Sequence, residues 1–140
     1  MKVNDLMIGD WVLWCDINPN IDGSNDLCFN PHKITMDDFV WFYQNDYEES
    51  EELAFDKPIP LTEEILKVNG FEYKVSVRGY VYDESDEDYS KYDFVIRHFR
   101  DLYFIPVLYS RVIDVHSVHE LQHALRLCGF GELADNFKIE

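Results

Sequence analysis

A chain of 140 residues, 46% hydrophobic and 16% aromatic, is long and apolar enough to bury a real core as a single domain over residues 1–140, and too apolar to stay disordered. Its 28 acidic residues against 12 basic ones leave a net charge of -16, which argues against direct nucleic-acid binding through phosphates. No stretch approaches the ~20 apolar residues of a membrane span, and the first residues, MKVNDLMIGDWVLWCD, are unlike a secretion signal. Cys15, Cys28 and Cys128 are far apart and form no C-x-x-C, which fits reduced thiols in a cytoplasmic protein. A Cys15–Cys28 bridge would need an oxidising compartment, of which the sequence carries no second sign.

In chain order, Ile8–Trp14 reads as a turn running into a β-strand rich in Val and Trp. Residues 18–26 are dense in turn formers. Their N-x-N-x-D-G spacing imitates half of a calcium loop. Phe29 stands where such a loop needs a bidentate Glu, so a hairpin or surface loop is expected and no cofactor. Phe39–Tyr43 is a run of apolar residues read as a strand, followed by an acidic connector over 46–52. Thr62 is a good helix N-cap, with Glu63 and Glu64 suited to the positive end of the helix dipole. Ile65, Leu66 and Val68 supply apolar contacts, Gly70 stops the helix, and Phe71 folds back on its last turn.

Glu72–Tyr82 alternates as a strand, with Tyr73, Val75 and Val77 on one face and Lys74, Ser76 and Arg78 on the other. Residues 83–88 form a charged hairpin tip, and Phe94–Phe99 and Leu102–Tyr109 are the next two strands. Pro106 puts the second of these at an edge or a bulge. Residues 111–115 lead into a final helix over about 118–128. The expected fold is therefore α+β: a twisted antiparallel sheet or small open barrel, with a short central helix and a C-terminal helix packed on it. Strands Trp11–Trp14, Phe39–Tyr43 and Tyr103–Tyr109 would furnish its core.

The one motif that points at chemistry is H-E-x-x-H, His119-Glu120-Leu121-Gln122-His123. Two histidines four apart on a helix share a face and can share a zinc ion, and the Glu beside them could deprotonate a bound water. The metal reading therefore rests on His119, His123 and Glu120, with His116 too far forward to help. Against it, Arg126 and Gly129 stand where the extended motif wants Gly and His. Val118, Leu121, Leu125 and Cys128 form the apolar stripe, with Ala124 beside it, and both histidines are expected roughly opposite, facing outward. Ser117-x-x-Glu120 is a capping box, which explains the Glu without a metal.

Three stretches resemble signatures of a family of small proteins from phages, prophages and mobile elements of gut bacteria. Asn4–Val12 is similar to N-x-L-x-I-G-N-Y-V, Pro58–Phe71 to I-P-L-T-E-E-x-L…G-F, and Val118–His123 to V-H-x-L-Q-N. The resemblance brings no activity with it, but its pattern has Asn where this chain has His123, which speaks against a zinc hydrolase. Charge and resemblance together imply a non-enzymatic accessory protein, without a cofactor, that binds another protein bearing a basic surface. It is expected to imitate nucleic acid through Asp46, Glu48, Glu49, Glu51 and Glu52 together with Asp83, Glu84, Asp86, Glu87 and Asp88. A zinc-dependent hydrolase using the HELQH motif is the competing expectation, and a purely structural subunit a third.

Overall fold

The computed structural model describes residues 5–19, 25–44, 56–82, 94–100, 102–106 and 112–140. The fold is α+β, with one three-stranded and one open five-stranded antiparallel sheet and four helices among these residues. The chain divides into two compact units, residues 1–59 with 117–136 and residues 60–116 with 137–140.

In the first unit, β1 (Trp11–Pro19) is the middle strand, flanked by β2 (Asn25–Lys33) and β3 (Asp56–Pro58). The β1–β2 pairing runs from Trp11 opposite Lys33 to Pro19 opposite Asn25, so the two strands form an antiparallel pair, and residues 20–24 of the turn-rich stretch lie outside the described residues. The side chains of Cys15 and Cys28 also lie outside them.

Phe39–Tyr43 is not a strand. It belongs to helix α1 (Met36–Gln44). A continuous apolar run is ambiguous by periodicity, and here the start signal decides. Thr35 donates through its backbone N–H (2.7 Å) and its hydroxyl (3.1 Å) to the carboxylate of Asp38, three residues on. That is one half of a capping box with Asp in place of Glu. Burial acts to raise the Asp38 carboxyl, but the Thr35 amide and His32 (2.9 Å) outweigh it and hold the group below its ordinary value. Phe42 of α1 joins Leu6, Val12 and Ile34 in the core of this unit, and Trp14 and Phe39 pack against them. Trp41 and Tyr43 remain exposed.

Helix α3 (Val118–Leu127) begins where the cap chemistry places it, with Ser117 Oγ accepting from the Glu120 amide at 3.4 Å. It ends at Gly129, whose φ of +90° is a left-handed conformation that glycine adopts at least cost. Cys128 is exposed rather than part of the apolar stripe. A further short helix, α4 (Gly131–Asp135), follows; five residues give too little periodicity to announce it in the sequence.

In the second unit, α2 (Glu63–Val68) has the expected Thr62 cap, with Thr62 Oγ accepting from the Ile65 amide at 3.3 Å. Gly70 sits at φ +88° and the Phe71 amide returns to the Leu66 carbonyl at 3.1 Å. Ile65 and Leu66 are buried, whereas Val68 is 44% exposed and contributes little. The exposed position is answered by Asn69, which is buried and ties Ile65 to Lys138 through its side-chain amide.

Glu72–Tyr82 is two strands rather than one. β4 (Glu72–Lys74) and β5 (Gly79–Tyr82) form a hairpin around residues 75–78. No Gly, Asn or Pro marks that turn; Arg78 itself takes the left-handed conformation, at φ 53°. Gly79 is required by close approach, since a Cβ there would lie 2.2 Å from the Ile96 carbonyl oxygen.

β6 (Phe94–Phe99) and β7 (Leu102–Pro106) follow as expected, and β8 (Val112–Val115), in the lead-in to the final helix, adds a fifth strand. β7 is thus an interior strand, not an edge. Pro106 is tolerated because it is the last residue of β7, opposite Val112. Tyr80, Phe94, Ile96, Ile105 and Val115 are buried, and the Tyr80 hydroxyl hydrogen-bonds Glu63 of α2, which draws that carboxyl below its ordinary value. Among the described residues no helix is long and apolar enough to cross a membrane.

Candidate functional site

The polar centre of the first unit joins the turn before β1 to helix α3. Residues 7–10 form a tight turn in which the Asp10 amide donates to the Met7 carbonyl (3.1 Å) and the Met7 amide to Asp10 Oδ2 (2.7 Å). Gly9 lies at φ +94°. A Cβ at Gly9 would come within 3.0 Å of an Arg126 nitrogen, so the glycine serves both the turn and its neighbour. The turn is held against β2 by the Gly9 amide on the Ile34 carbonyl and the Ile34 amide on the Asp10 carbonyl, each 2.8 Å.

This turn presents Asp10, whose side chain is wholly buried, to α3. Oδ2 also accepts from His123 Nε2 at 2.7 Å, and Oδ1 from Arg126 Nη1 at 2.7 Å. Arg126 Nη2 reaches on to the Ile8 carbonyl (3.2 Å) and to Asp135 of α4 (3.5 Å). A buried carboxylate is tolerable only with such donors around it.

Gln122, one residue before His123, is also completely buried. Its amide nitrogen donates to the carbonyls of Gly9 and Ala134, and its oxygen accepts from the Trp11 amide, all at 2.9 Å. One side chain thereby satisfies backbone groups of the turn, the first residue of β1, and α4. The Val118 amide donates to the Ile59 carbonyl at 2.9 Å. Parts of all three signature stretches are therefore bonded together in this unit.

The histidines of H-E-x-x-H do not look outward. His119 is 6% exposed, and its Nδ1 lies 3.1 Å from Ser117 Oγ. His123 is half-buried and bound to Asp10, with the two rings edge to face at 5.7 Å. Helical period marks the apolar stripe correctly, with Val118, Leu121, Ala124 and Leu125 all buried. It cannot show that the turn at residues 7–10 covers a second, polar face of the same helix.

A zinc ion shared by these histidines would have to displace the 2.7 Å contact that His123 makes with the buried carboxylate. Among the described residues no group of three His, Cys, Asp or Glu side chains could hold a metal. Glu120 is half-buried and acts through its amide in the cap. The acidic residues Asp46, Glu48, Glu49, Glu51, Glu52, Asp83, Glu84, Asp86, Glu87 and Asp88 lie outside the described residues.

Sequence reasoning passed over Asp10, Gln122 and Arg126. A signal for the first was present: Asp10 stands where the resembled signature has Asn, and His123 stands where the third signature has Asn. These two departures are the two ends of one hydrogen bond.

Burial holds the His119 imidazole below its ordinary value of 6.5, against the opposing pull of the Asp10 charge. Because the folded state binds the proton less readily than the unfolded chain, stability is present above pH 6.5 and is lost as pH falls through the folded value. The expected outcome is that the difference in melting temperature between pH 7.5 and pH 5.5, about one unit either side of the unfolded histidine value, is smaller in His119→Asn than in the parent. Equal differences in the two proteins would show that another group governs the acid response.

No family model matches the chain, and neither a curated protein nor a solved structure matches it.

Proposed function

We propose that this chain is a non-enzymatic accessory protein of a phage or mobile element, acting in the cytoplasm by binding a protein with a basic surface, in the manner of a nucleic-acid mimic. The observation that carries the reading is the net charge of -16. An excess of that size raises encounter rates with cationic surfaces and favours partners that themselves hold nucleic acid. Further support comes from the residues of the hydrolase motif: His123 is tied to Asp10 and His119 to Ser117 inside the fold, in roles that stability alone accounts for. Parts of the three signature stretches, around Gly9–Trp11, Ile59 and Val118–His123, are bonded together in the first unit, which fits a common scaffold on which surface segments differ.

The test is capture from host lysate in rising salt, with a second protein in which the acidic residues of 46–52 and 83–88 are replaced by Asn and Gln. Capture should weaken about tenfold or more between 0.1 and 0.5 M salt, as Coulombic contacts are screened. The neutralised protein should lose it at all salt concentrations, and duplex DNA should compete. A partner retained equally at high salt and by the neutralised protein would refute electrostatic mimicry.

A further inference from the structure

We propose that the five-stranded sheet carries a binding site for a phosphomonoester with a planar aromatic body, in a pocket between the β4–β5 turn and the β6–β7 hairpin. The pocket has a volume of about 360 Å³ and is lined by Ser76, Val77 and Arg78 of the turn and by Arg97, Phe99 and Phe104 of the hairpin, with His98 between them. That is the lower end of the range for small-molecule sites, roughly 300–1,000 Å³.

The placement follows from the register. Arg97 pairs with Phe104 across β6 and β7, and Gly79 pairs with Arg97 across β5 and β6. Strand alternation sends Phe94 and Ile96 into the core and leaves Arg97 and Phe99 on the other face, where both are exposed. Having no side chain, Gly79 lets β5 run close over the Ile96–Arg97 backbone. Arg78, just before it, is set at the rim of the pocket, and the His98 amide is fixed to the Arg78 carbonyl at 3.1 Å.

The protein has 28 acidic residues, yet neither Arg78 nor Arg97 makes an ion pair among the described residues. Lys67, Lys74 and Arg126 have carboxylate partners, whereas Lys33, Lys57, Arg100 and Lys138, like the two arginines, make no ion pair among the described residues. Asp114 lies opposite Phe104 on β8, and no ion pair joins it to either arginine. Arg100 caps the same hairpin over the ring of Phe99, at 5.2 Å.

Two guanidiniums that make no ion pair among the described residues, lining one small pocket, match a dianion, and a phosphate monoester supplies one with oxygens spaced for forked hydrogen bonds. A lone carboxylate would need only one of them. Phe99 is 59% exposed and Phe104 half-buried, and they offer apolar ring surface for a planar group. The His98 ring lies on the opposite face of β6, with Phe94 and Ile96, in a parallel stack on Tyr103 at 4.3 Å and 5°. A polynucleotide would bring many phosphates against a chain of net charge -16, whereas one phosphate needs only the local pair.

Adenosine monophosphate, inorganic phosphate and adenosine are suitable probes, followed by backbone amide NMR of the full chain at low salt. Adenosine monophosphate should shift the amides of 76–79, 97–99 and 104; phosphate should shift the same set more weakly and compete, and adenosine should bind much less well. Arg97→Gln and Arg78→Asn (Asn tolerates the left-handed conformation at this position) should each weaken adenosine monophosphate about tenfold. Lys67→Gln, away from the pocket, should leave it unchanged. The proposal is overturned if these amides do not respond at millimolar adenosine monophosphate, or if both arginine variants bind as the parent does. Tighter binding of a thymidine oligonucleotide through the same residues would also overturn it, by making the site one for single-stranded nucleic acid. Competition by phosphate reads the site without any substitution, so it holds even if a variant loses its dispersed spectrum.

Discussion

Gln122→Leu is expected to destabilise the protein by about 4 kcal/mol, although leucine is nearly the same size and leaves almost no cavity. The loss comes from what the glutamine bonds rather than what it fills. Its side chain is the partner of the Gly9 carbonyl, the Ala134 carbonyl and the Trp11 amide at a wholly buried position. Each buried backbone group left without a partner costs ~1–3 kcal/mol, and relaxation of the turn at residues 7–10 recovers part of that. Domains are stable by roughly 5–15 kcal/mol, so the variant should lose a quarter or more of its stability. Chemical denaturation followed by tryptophan fluorescence reads this directly. Gln122→Glu is a useful companion, since it keeps an acceptor for Trp11 but removes both donors and adds a buried charge, and it should be no better. A leucine variant within about 1 kcal/mol of the parent would mean that the three backbone groups do not depend on this side chain.

The second large effect is expected at Asp10. Asp10→Ala removes a buried carboxylate with three donors and leaves the Arg126 guanidinium facing an apolar gap, for a loss of about 3–5 kcal/mol. Asp135, 3.5 Å from Arg126 and exposed, offers only a weak replacement. Asp10→Asn should cost less, because an amide oxygen still accepts from Met7. The double change Asp10→Asn with His123→Asn writes in the amide pair of the resembled signatures. Its destabilisation should be smaller than the sum of the two single losses, because the side chains are in contact. Simple additivity in melting experiments would break the proposed link between the two departures from the signatures.

Both effects fall on residues that a catalytic reading of the helix leaves without a role. If His123 were held ready for a metal, its contact with Asp10 would only orient the ring for the ion. With Gln122, Asp10 and Arg126 around it, the contact is one strand of a clamp that fastens the turn before β1 to α3 and α4.

Local signals were legible wherever both partners lie within a few residues. The caps at Thr62 and Ser117, the stops at Gly70 and Gly129, and the β1 start after Gly9-Asp10 all depend on contacts of four residues or fewer, and the structure has them where the sequence places them. Helix α1 carried such a signal too, in Thr35 and Asp38, but the apolar run behind it fits strand and helix equally. The turn at 75–78 was hidden because its left-handed position is held by an arginine, which the surrounding strands impose. β8 was hidden because four residues are too few for alternation to speak, and only pairing with β7 makes them a strand.

The sequence by itself determined an acidic α+β chain with capped helices, because composition and caps are properties of neighbours. Tertiary structure alone decided what the polar residues do. His123 and Asp10 are 113 positions apart, as are Gln122 and Gly9. Helical period can say that His119 and His123 are off the apolar stripe, but a polar face turns outward only if nothing polar is folded against it. Here a buried carboxylate and a glycine turn are folded against it. Desolvation makes such groups costly alone and stable together, so the helix that looked like a metal site faces inward.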